Sequence, residues 1–369
     1  MSEASSLNRT ILYDLHVSLG ARMAPFAGYL MPISYSGIIR EHEACRKAAA
    51  IFDTCHMGEI LLSGPAAESA LERLVTCRVS SIPDGRCRYG LMCNESGGVL
   101  DDLVVYRLAH EEFLVVVNAA TRPRDFEWMQ LHVSGDVQIK DISERVAKLD
   151  IQGPASPGII RTILGNLPEV PYYGFFRTRW RGGAILASRT GYTGEMGFEL
   201  YFLDSPSDAA AFWEQAMNAG AVPAGLGARD TLRLEMGMPL YGHELSEERN
   251  AMDSGFEKAI RLDKPFIGRD AVSMGGRQKL VGIALEGRSA GRKDDIIETP
   301  EGEKIGCVTS GSFGPSVGYA VAMGYVRAGF SSAGSTVQIR GARQILKGRI
   351  APTPFYRNGT ARRNIAQFL

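Results

Sequence analysis

The sequence predicts an α+β protein of two or three domains, the last of them a small all-β barrel or sandwich. A chain of 369 residues is too long for one simple hydrophobic core. Helical and strand patterns alternate from Thr10 to about Asp270, and short glycine-rich strands follow Gly275 and Gly276 to the C-terminus. Short strands at such spacing are typical of small barrels and sandwiches.

Composition and charge are those of an ordinary globular protein. Hydrophobic residues make up 45% and charged residues 22% of the chain, and 41 basic residues balance 41 acidic ones. Without a net positive charge, neither nucleic acid nor a membrane surface is expected as a partner. There is no run of about 18 apolar residues, and residues 1–8 lack the features of a targeting peptide. We therefore expect a cytoplasmic protein.

The six cysteines include no C-x-x-C pair. Closely spaced cysteine pairs are typical of zinc sites, and regular cysteine frameworks are typical of small secreted domains. We therefore expect reduced, mostly buried thiols, with no disulfide and no metal site. The cysteines are Cys45, Cys55, Cys77, Cys87, Cys93 and Cys307.

Hydrophobic periodicity and turn residues predict the order of helices and strands. The segment 20–35 is an irregular apolar and aromatic stretch, which fits either a loop across a core or a pocket wall. Helices are predicted at 10–19, 38–50, from 65 onwards, at 155–164, at 208–218 and after the glycine turn at 224–227. Strands are predicted at 60–62, in a meander of 87–93, 99–108 and 113–117, at 146–151, in a hairpin at 175–187, and at 280–285, 304–309, 320–326, 336–339 and 348–350.

Two adjacent aspartates, Asp101 and Asp102, lie in a predicted strand after a turn at 94–98. Alternate side chains of a strand share a face, so Asp101 lies on the face of Val99 and Leu103, and Asp102 on the other. One carboxylate is therefore placed among apolar neighbours, where its pKa shifts, as in many catalytic acids. Two solvated carboxylates beside a turn remain the simpler interpretation of this stretch alone.

Other polar residues occur at loops and strand ends. A loop with glycine at every third position carries Tyr192 and Glu199, and it fits either a tight loop against a planar ligand or an ordinary hairpin. Arg229 follows a glycine turn at a helix start, where an anion site and simple capping by Asp230 explain the pattern about equally. Asn118 ends a strand, a position where polar residues are often functional.

Short motifs along nearly the whole chain resemble the aminomethyltransferase (T protein) family of the glycine cleavage system. They include GGVLDDLVVY at 97–106, SRTGYTGE at 188–195 and GLGARD at 225–230, and they occur in the order of the family. One motif alone would be weak, but the full set in register is a strong indication. The remaining motifs lie at 21–32, 52–53, 56–58, 117–120, 152–154, 197–199, 308–311 and 354–357.

The resemblance implies a three-domain ring: two α+β domains and a C-terminal small all-β barrel or sandwich around a central folate channel. Residues 1–52 and 142–245 would form a folate-binding α+β domain. Residues 53–141 and 246–275 would form a second α+β domain, which carries the Asp101–Asp102 strand. Residues 276–369 would form the C-terminal barrel domain.

The resemblance also implies an activity. The family transfers the methylene of an aminomethyl group from the dihydrolipoyl arm of a carrier protein, the H protein, to tetrahydrofolate. The products are ammonia, the dihydrolipoyl carrier and 5,10-methylenetetrahydrofolate. On the matching positions the catalytic carboxylate falls on Asp102. The implied folate contacts are Tyr89, Asn118, Tyr192, Glu199, Arg229, Tyr241 and Arg363.

The chain departs from the family pattern at a few positions, which we expect on the substrate side or at the rim of the site. They are Tyr29, Leu30, Thr54, Cys55, Tyr319 and the segment 250–260.

Because of these departures, two alternatives stay open. One is a tetrahydrofolate-dependent demethylase that acts on another methyl donor. The other is a non-catalytic folate-binding protein of iron–sulfur cluster assembly, against which the presence of Asp102 and Glu199 argues.

Overall fold

A computed structural model describes residues 7–342 and 344–369 and shows three large sheets, one two-stranded hairpin and the helices that pack on them. The helices are α1 (Tyr13–Ser18), α2 (Ile38–Lys47), α3 (Ala67–Leu74), α4 (Arg122–His132), α5 (Ser156–Leu164), α6 (Asp208–Asn218), α7 (Leu226–Glu235) and α8 (Arg269–Ser273). The strands are β1 (Arg22–Phe26), β2 (Tyr29–Ser34), β3 (Ala50–Asp53), β4 (Gly58–Ser63), β5 (Arg86–Cys93), β6 (Val99–Ala109), β7 (Glu112–Val117), β8 (Gln138–Asp141), β9 (Ala147–Gln152), β10 (Phe175–Trp180), β11 (Gly183–Ser188), β12 (Gly197–Phe202), β13 (Val222–Pro223), β14 (Gln278–Leu285), β15 (Ile296–Glu298), β16 (Lys304–Phe313), β17 (Ala320–Arg327), β18 (Thr336–Arg340) and β19 (Ile345–Ala351).

The first large sheet has the strand order β10-β11-β12-β9-β3-β13 and is antiparallel except for the parallel pair of β3 and β13. Its hydrophobic core lies against α5 and α6. Helix α6 has the bounds that the sequence predicted and buries the predicted stripe of Ala209, Phe212, Trp213 and Ala216. Every residue of β12 is buried. This strand is therefore covered on both faces, as expected where a sheet separates a core from an internal site.

The second large sheet has the order β5-β6-β7-β4-β8. Strands β5, β6 and β7 form the predicted meander, and in its register Asp102 lies opposite Leu91 and Asp101 opposite Met92. One face of this sheet packs against a hydrophobic core that includes Leu71 of α3 and Met129 of α4. The register fixes which of the two aspartates faces away from that core.

The C-terminal sheet closes into a barrel of order β14-β17-β16-β15-β18-β19, which decides between the predicted barrel and sandwich. Its interior is apolar and includes Ile283, Ile297 and Ile339. Strand β15 is not predictable from the sequence, because its three residues are too few to show a period of two. The α+β class with a terminal barrel is confirmed.

Most of the segment 20–35 is an antiparallel hairpin of β1 and β2 with one register shift between Arg22 and Met23, not the irregular stretch that the sequence predicted. Its turn is made by Ala27 and Gly28, both with positive φ. Prolines Pro25 and Pro32 are tolerated because a two-stranded ribbon has only edge strands. Phe26 and other residues of this hairpin wall the internal cavity described below, as one of the two interpretations expected.

Within residues 7–342 and 344–369, no helix is long and apolar enough to cross a membrane. The same residues contain no group of three or more His, Cys, Asp or Glu side chains placed to hold a metal ion. Four of the six cysteines are buried, and Cys55 and Cys307 are half-buried, so the prediction of mostly buried thiols is confirmed.

Candidate active site

A cavity of about 630 Å³ lies where the first and second large sheets face each other; these two sheets, unlike the barrel, are open. The second sheet contributes Tyr89, Asp102 and Val116, and the first contributes Lys148 and Glu199. The β1–β2 hairpin, α7 and the segment 238–243 complete the walls. No described residue of the barrel strands β14–β19 lines this cavity. The barrel instead borders a smaller cavity of about 360 Å³, and His243 lines both.

The structure brings together seven of the eight residues that the resemblance selected. Arg363 is the exception: it is exposed and lies outside the cavity lining, while its neighbour Arg362 lines the cavity. The backbone carbonyl of Arg363 instead accepts a hydrogen bond from the Arg189 side chain. The residues that line the cavity as expected are Tyr89, Asp102, Asn118, Tyr192, Glu199, Arg229 and Tyr241.

Asp102 faces the cavity, and Asp101 faces the opposite side of β6, where it is fully buried. The Tyr89 hydroxyl donates to Asp102 Oδ2 at 3.2 Å, and Asn118 Nδ2 donates to Asp102 Oδ1 at 2.9 Å. Burial, and after it the negative charge of Asp101, raise the pKa of Asp102 to about 7. Asp102 is therefore poised to gain or lose a proton near neutral pH.

Glu199 reaches the cavity from β12 and belongs to a buried charge network. Its Oε1 atom accepts a hydrogen bond from Lys148 Nζ at 2.8 Å, and its Oε2 atom accepts one from Thr190 Oγ1. Lys148 Nζ also lies 3.2 Å from Asp150 Oδ1. The network holds the Glu199 carboxylate in one orientation, which favours recognition of a ligand by hydrogen bonds.

Arg229 extends this network from the first turn of α7. Its Nη1 atom donates to Asp150 Oδ2 at 2.7 Å, and its guanidinium lies 4.8 Å from the ring centroid of Tyr192. Capping of the helix by Asp230, one of the two interpretations of this turn, is wrong. The Glu41 carboxylate accepts from the Gly225 backbone N–H at the helix start instead.

Asp230 has a different partner. Its carboxylate accepts a hydrogen bond from Arg233 Nε at 2.8 Å, one turn further along the helix. Asp230 therefore pairs with an arginine side chain of its own helix and does not cap the helix N-terminus. Its position near the helix start did not reveal this ion pair.

Thr54, one of the departures from the family pattern, does not lie at the rim. It is fully buried, and its hydroxyl donates to Asp150 Oδ1 at 3.1 Å. It therefore supports the Lys148–Asp150–Arg229 network. Cys55 lies beside it, with its Sγ atom 3.3 Å from the Lys148 carbonyl oxygen.

The sequence of this chain matches two models of one protein family. The model of the GCVT N-terminal domain matches residues 12–264, and that of the glycine cleavage T-protein C-terminal barrel domain matches residues 278–357. The chain belongs to the glycine cleavage T-protein family. The sequence-based recognition is therefore confirmed.

Known members of this family are similar to the chain over nearly its whole length. An aminomethyltransferase of Rubrobacter xylanophilus is 44% identical over 360 residues, which cover 95% of each chain. One of Moorella thermoacetica is 41% identical over 369 residues, covering 96% of this chain and 99% of its own. A crystal structure of glycine cleavage system aminomethyltransferase T from Bartonella henselae superposes with a TM-score of 0.89 at 31% identity, over 97% and 99% of the two chains. The prediction of a transferase is thus confirmed.

Lys148 and His56 line this T-protein-family cavity although neither was among the predicted site residues. Lys148 is 1% exposed, and the available signal was that Lys148 and Asp150 share one face of an otherwise apolar strand. The sequence signal for His56 was its place in the family motif at 56–58. His56 is 6% exposed and lines the cavity, its Nδ1 atom has no partner in the described part of the chain, and burial lowers its pKa to about 4. It is therefore a neutral imidazole.

Proposed function

We propose that this chain is the tetrahydrofolate-dependent aminomethyltransferase of the glycine cleavage system. Its substrates would be tetrahydrofolate and the aminomethylated dihydrolipoyl arm of the H protein. The observation that carries the proposal is a T-protein-family cavity in which Asp102, with its pKa near neutrality, faces the same space as the fixed carboxylate Glu199.

The cavity fits a folate. A pterin is a flat ring with amide-like edges, which suits aromatic walls such as Tyr89 and Tyr192 and a carboxylate that accepts paired N–H groups. Glu199 is that carboxylate. The glutamyl tail is anionic, and Arg362 is an exposed arginine at the cavity wall. Arg229 is committed to Asp150 and contributes its charge from within the network.

The reaction conserves atoms and protons. The carbon–nitrogen bond to ammonia and the carbon–sulfur bond to the carrier arm break, and two carbon–nitrogen bonds to folate form. The two protons displaced from the folate nitrogens end on ammonia and on the carrier thiol. Ionised Asp102 is the group that would accept such a proton and stabilise the positive charge that develops on the transferred carbon.

Tyr89 and Asn118 would hold Asp102 for that step. Both donate hydrogen bonds to its carboxylate, which favours the ionised form against burial. Because both groups are fixed before substrate binds, little reorganisation is required during the transfer.

The deciding experiment mixes purified protein with tetrahydrofolate and aminomethylated lipoyl carrier and follows ammonia and methylenetetrahydrofolate. We expect both products in equal amounts, and none when folate or the lipoyl group is omitted. Product formed from N-methyl, O-methyl or S-methyl donors but not from the carrier would identify a demethylase. Folate binding without turnover of any donor would identify a non-catalytic relative.

A further inference from the structure

Lys148 of β9 is a charged side chain in the cavity wall that the proposed transfer does not use. It is 1% exposed, and its Nζ atom lies beside Glu199, the carboxylate proposed to recognise the pterin. Burial acts to lower the pKa of Lys148, but the negative charges of Asp150 and Glu199 together raise it above its usual value. Lys148 is therefore an ammonium group at neutral pH, and it can only donate hydrogen bonds.

The position of this ammonium group is fixed by buried neighbours. Asp150 Oδ1 accepts a hydrogen bond from Lys148 Nζ at 3.2 Å, and the same oxygen atom accepts one from the Thr54 hydroxyl at 3.1 Å. Asp150 Oδ2 accepts one from Arg229 Nη1 at 2.7 Å. These contacts hold the ammonium group next to Glu199 before any ligand binds, which favours selective recognition.

One N–H group of Lys148 lacks a strong acceptor. An ammonium group has three N–H donors, and Glu199 Oε1 at 2.8 Å and Asp150 Oδ1 take two of them. Within residues 7–342 and 344–369, the remaining contacts of Nζ are the Met57 sulfur at 3.5 Å and the face of the Tyr201 ring, at 5.6 Å from its centroid. Both are weak acceptors, and both residues line the cavity. A ligand oxygen atom in the cavity would be a better partner for this N–H group.

Glu199 keeps acceptor capacity next to this donor. Its Oε1 atom accepts from Lys148, and its Oε2 atom accepts from Thr190 Oγ1 and, at a long 3.4 Å, from the Tyr106 hydroxyl. Because each carboxylate oxygen can accept two hydrogen bonds, Oε1 retains one position, and Oε2 retains one when the long contact gives way. The cavity wall therefore presents two acceptors with a donor beside Oε1.

The charges around Lys148 favour a neutral ligand group over an anion. Lys148 and Arg229 carry two positive charges and Asp150 and Glu199 carry two negative ones, so the network has no net charge. An anionic ligand group at Nζ would also approach the two carboxylates that already contact that atom, and like charges at such distances repel each other. A carbonyl oxygen atom avoids this cost.

We propose that Lys148 selects the ring that the site accepts, by donating a hydrogen bond to the 4-carbonyl oxygen of the pterin while Glu199 accepts the N–H groups beside it. A pterin carries its 2-amino group, its N3–H group and its 4-carbonyl oxygen side by side on one edge. This order matches the two acceptors of Glu199 followed by the donor of Lys148. The inference rests on the proposed function, because it takes the pterin of a folate as the ligand. The substrate class is then the 4-oxo pteridines.

A 4-amino pteridine does not match this arrangement. Its 4-amino group would place N–H groups against the ammonium group of Lys148, and its neutral ring has no N3–H group for Glu199. Turning the ring over does not remove the conflict, because a reduced ring then presents its N8–H group at the same place. Sites built around a hydrogen bond reject analogues that cannot form it, because buried polar groups are left unpaired.

The test compares the affinities of tetrahydrofolate and its 4-amino-4-deoxy analogue, measured by calorimetry on the full-length protein. We expect the wild type to bind the analogue at least about 100-fold more weakly. In Lys148→Gln the side-chain amide can turn either its N–H or its C=O group towards the ligand, so the ratio of the two affinities should fall at least about tenfold. Lys140→Gln changes an exposed lysine of β8 outside the cavity lining and, as the matched control, should keep the wild-type ratio.

The ratio of affinities separates a contact of Lys148 with the ligand from a purely structural role. A structural lysine would weaken both ligands alike, and a change in the ionisation of Glu199 largely cancels in the ratio. An unchanged ratio in Lys148→Gln, or equal binding of both ligands by the wild type, would overturn this inference and leave folate binding intact. Failure of the wild type to bind tetrahydrofolate would overturn the proposed function as well. Should Lys148→Gln fail to fold, Lys148→Met removes the donor, and the same ratio decides.

Discussion

At the scale of single residues, Asp102 has the properties of a proton acceptor for neutral pH. It faces the cavity, two fixed donors hold it, and burial brings its pKa to about 7. An exposed aspartate would be ionised but too weak a base, and an unsupported buried one would stay protonated. The side chains of Tyr89 and Asn118 keep Asp102 between these limits.

Asp102→Asn keeps the volume of the side chain and removes its charge and its capacity to accept a proton. We expect kcat to fall by about 10²–10⁴-fold, the usual effect of losing such a group. Folate Kd should change much less, because the interaction is strongest in the transition state. Turnover and folate affinity of the two proteins check this. An equal loss from Asp101→Asn would show that the wrong aspartate has been assigned.

The raised pKa of Asp102 predicts how activity depends on pH. Because the ionised carboxylate is the active form, kcat/KM should rise roughly tenfold per pH unit below about pH 7 and level off above it. Rates measured across that range, with folding checked at each pH, provide the test. A profile that is flat through pH 7 would show that Asp102 does not titrate in the step measured.

Glu199→Gln tests recognition of the pterin. The substitution replaces one acceptor by a donor, so an N–H group of the bound ring would lose its partner, at a cost of about 1–3 kcal/mol in folate binding. Glu59→Gln is a suitable control. Glu59 is also buried but lies outside the cavity lining, and burial raises its pKa to about 8, so an amide resembles its protonated form. Unchanged folate affinity in Glu199→Gln would remove Glu199 from the binding site.

The period of two of a strand predicted that Asp101 and Asp102 lie on opposite faces, and that rule needs no tertiary information. The family resemblance, not the period, selected Asp102 as the residue of the site. The period could not predict the choice between Arg362 and Arg363. Both belong to an irregular segment, where no period determines which side chain turns inward. Lys148 was hidden for another reason, since its partners Asp150 and Glu199 come together only when β9 pairs with β12.

At the scale of elements, helices with a clear apolar stripe were predictable and others were not. The stripe of α6 gave its bounds directly. Helix α4 was missed because Phe126, Trp128, Met129 and Leu131 are spread around its axis and Leu131 is 75% exposed. Local pattern fails where a helix has no single buried face.

Helices α2 and α7 are joined by a buried ion cluster. Arg46 Nη1 lies 2.9 Å from Glu195 Oε1, and its Nη2 lies 2.9 Å from Glu235 Oε2. The same guanidinium donates to the carbonyl of Thr193 in the glycine-rich loop. The cluster therefore fixes α2 against α7 and that loop, and α7 and the loop line the cavity.

Arg46→Ala should lower the free energy of unfolding by about 3–5 kcal/mol, because two buried carboxylates lose their counter-ion. Lys47→Ala is the matched control on the same helix. Lys47 forms only an exposed pair with Glu43 and should cost no more than about 0.5 kcal/mol. Denaturant unfolding of both variants gives the comparison. Similar small losses from both would show that the Arg46 cluster contributes little to stability.

At the scale of the whole molecule, the cavity exists only when the two open sheets are assembled. Tyr89 and Asp102 belong to one sheet, and Lys148 and Glu199 to the other. The barrel strands β14–β19 follow both sheets in the chain, and the barrel lines only the smaller cavity. The division into domains at residues 1–52 with 142–245, 53–141 with 246–275, and 276–369 stays a prediction, since strand order alone does not define unfolding units.

Because the unfolded chain has no cavity, tetrahydrofolate should bind only the folded state and stabilise it by mass action. At a ligand concentration of 100 times Kd the gain is about 2.7 kcal/mol, which should appear as a higher Tm. Asp102→Asn should keep most of this shift, since its carboxylate acts chiefly in the transition state, whereas Glu199→Gln should lose part of it at the same ligand concentration. A melting curve that does not move at saturating tetrahydrofolate would contradict folate binding itself, and with it the proposed reaction.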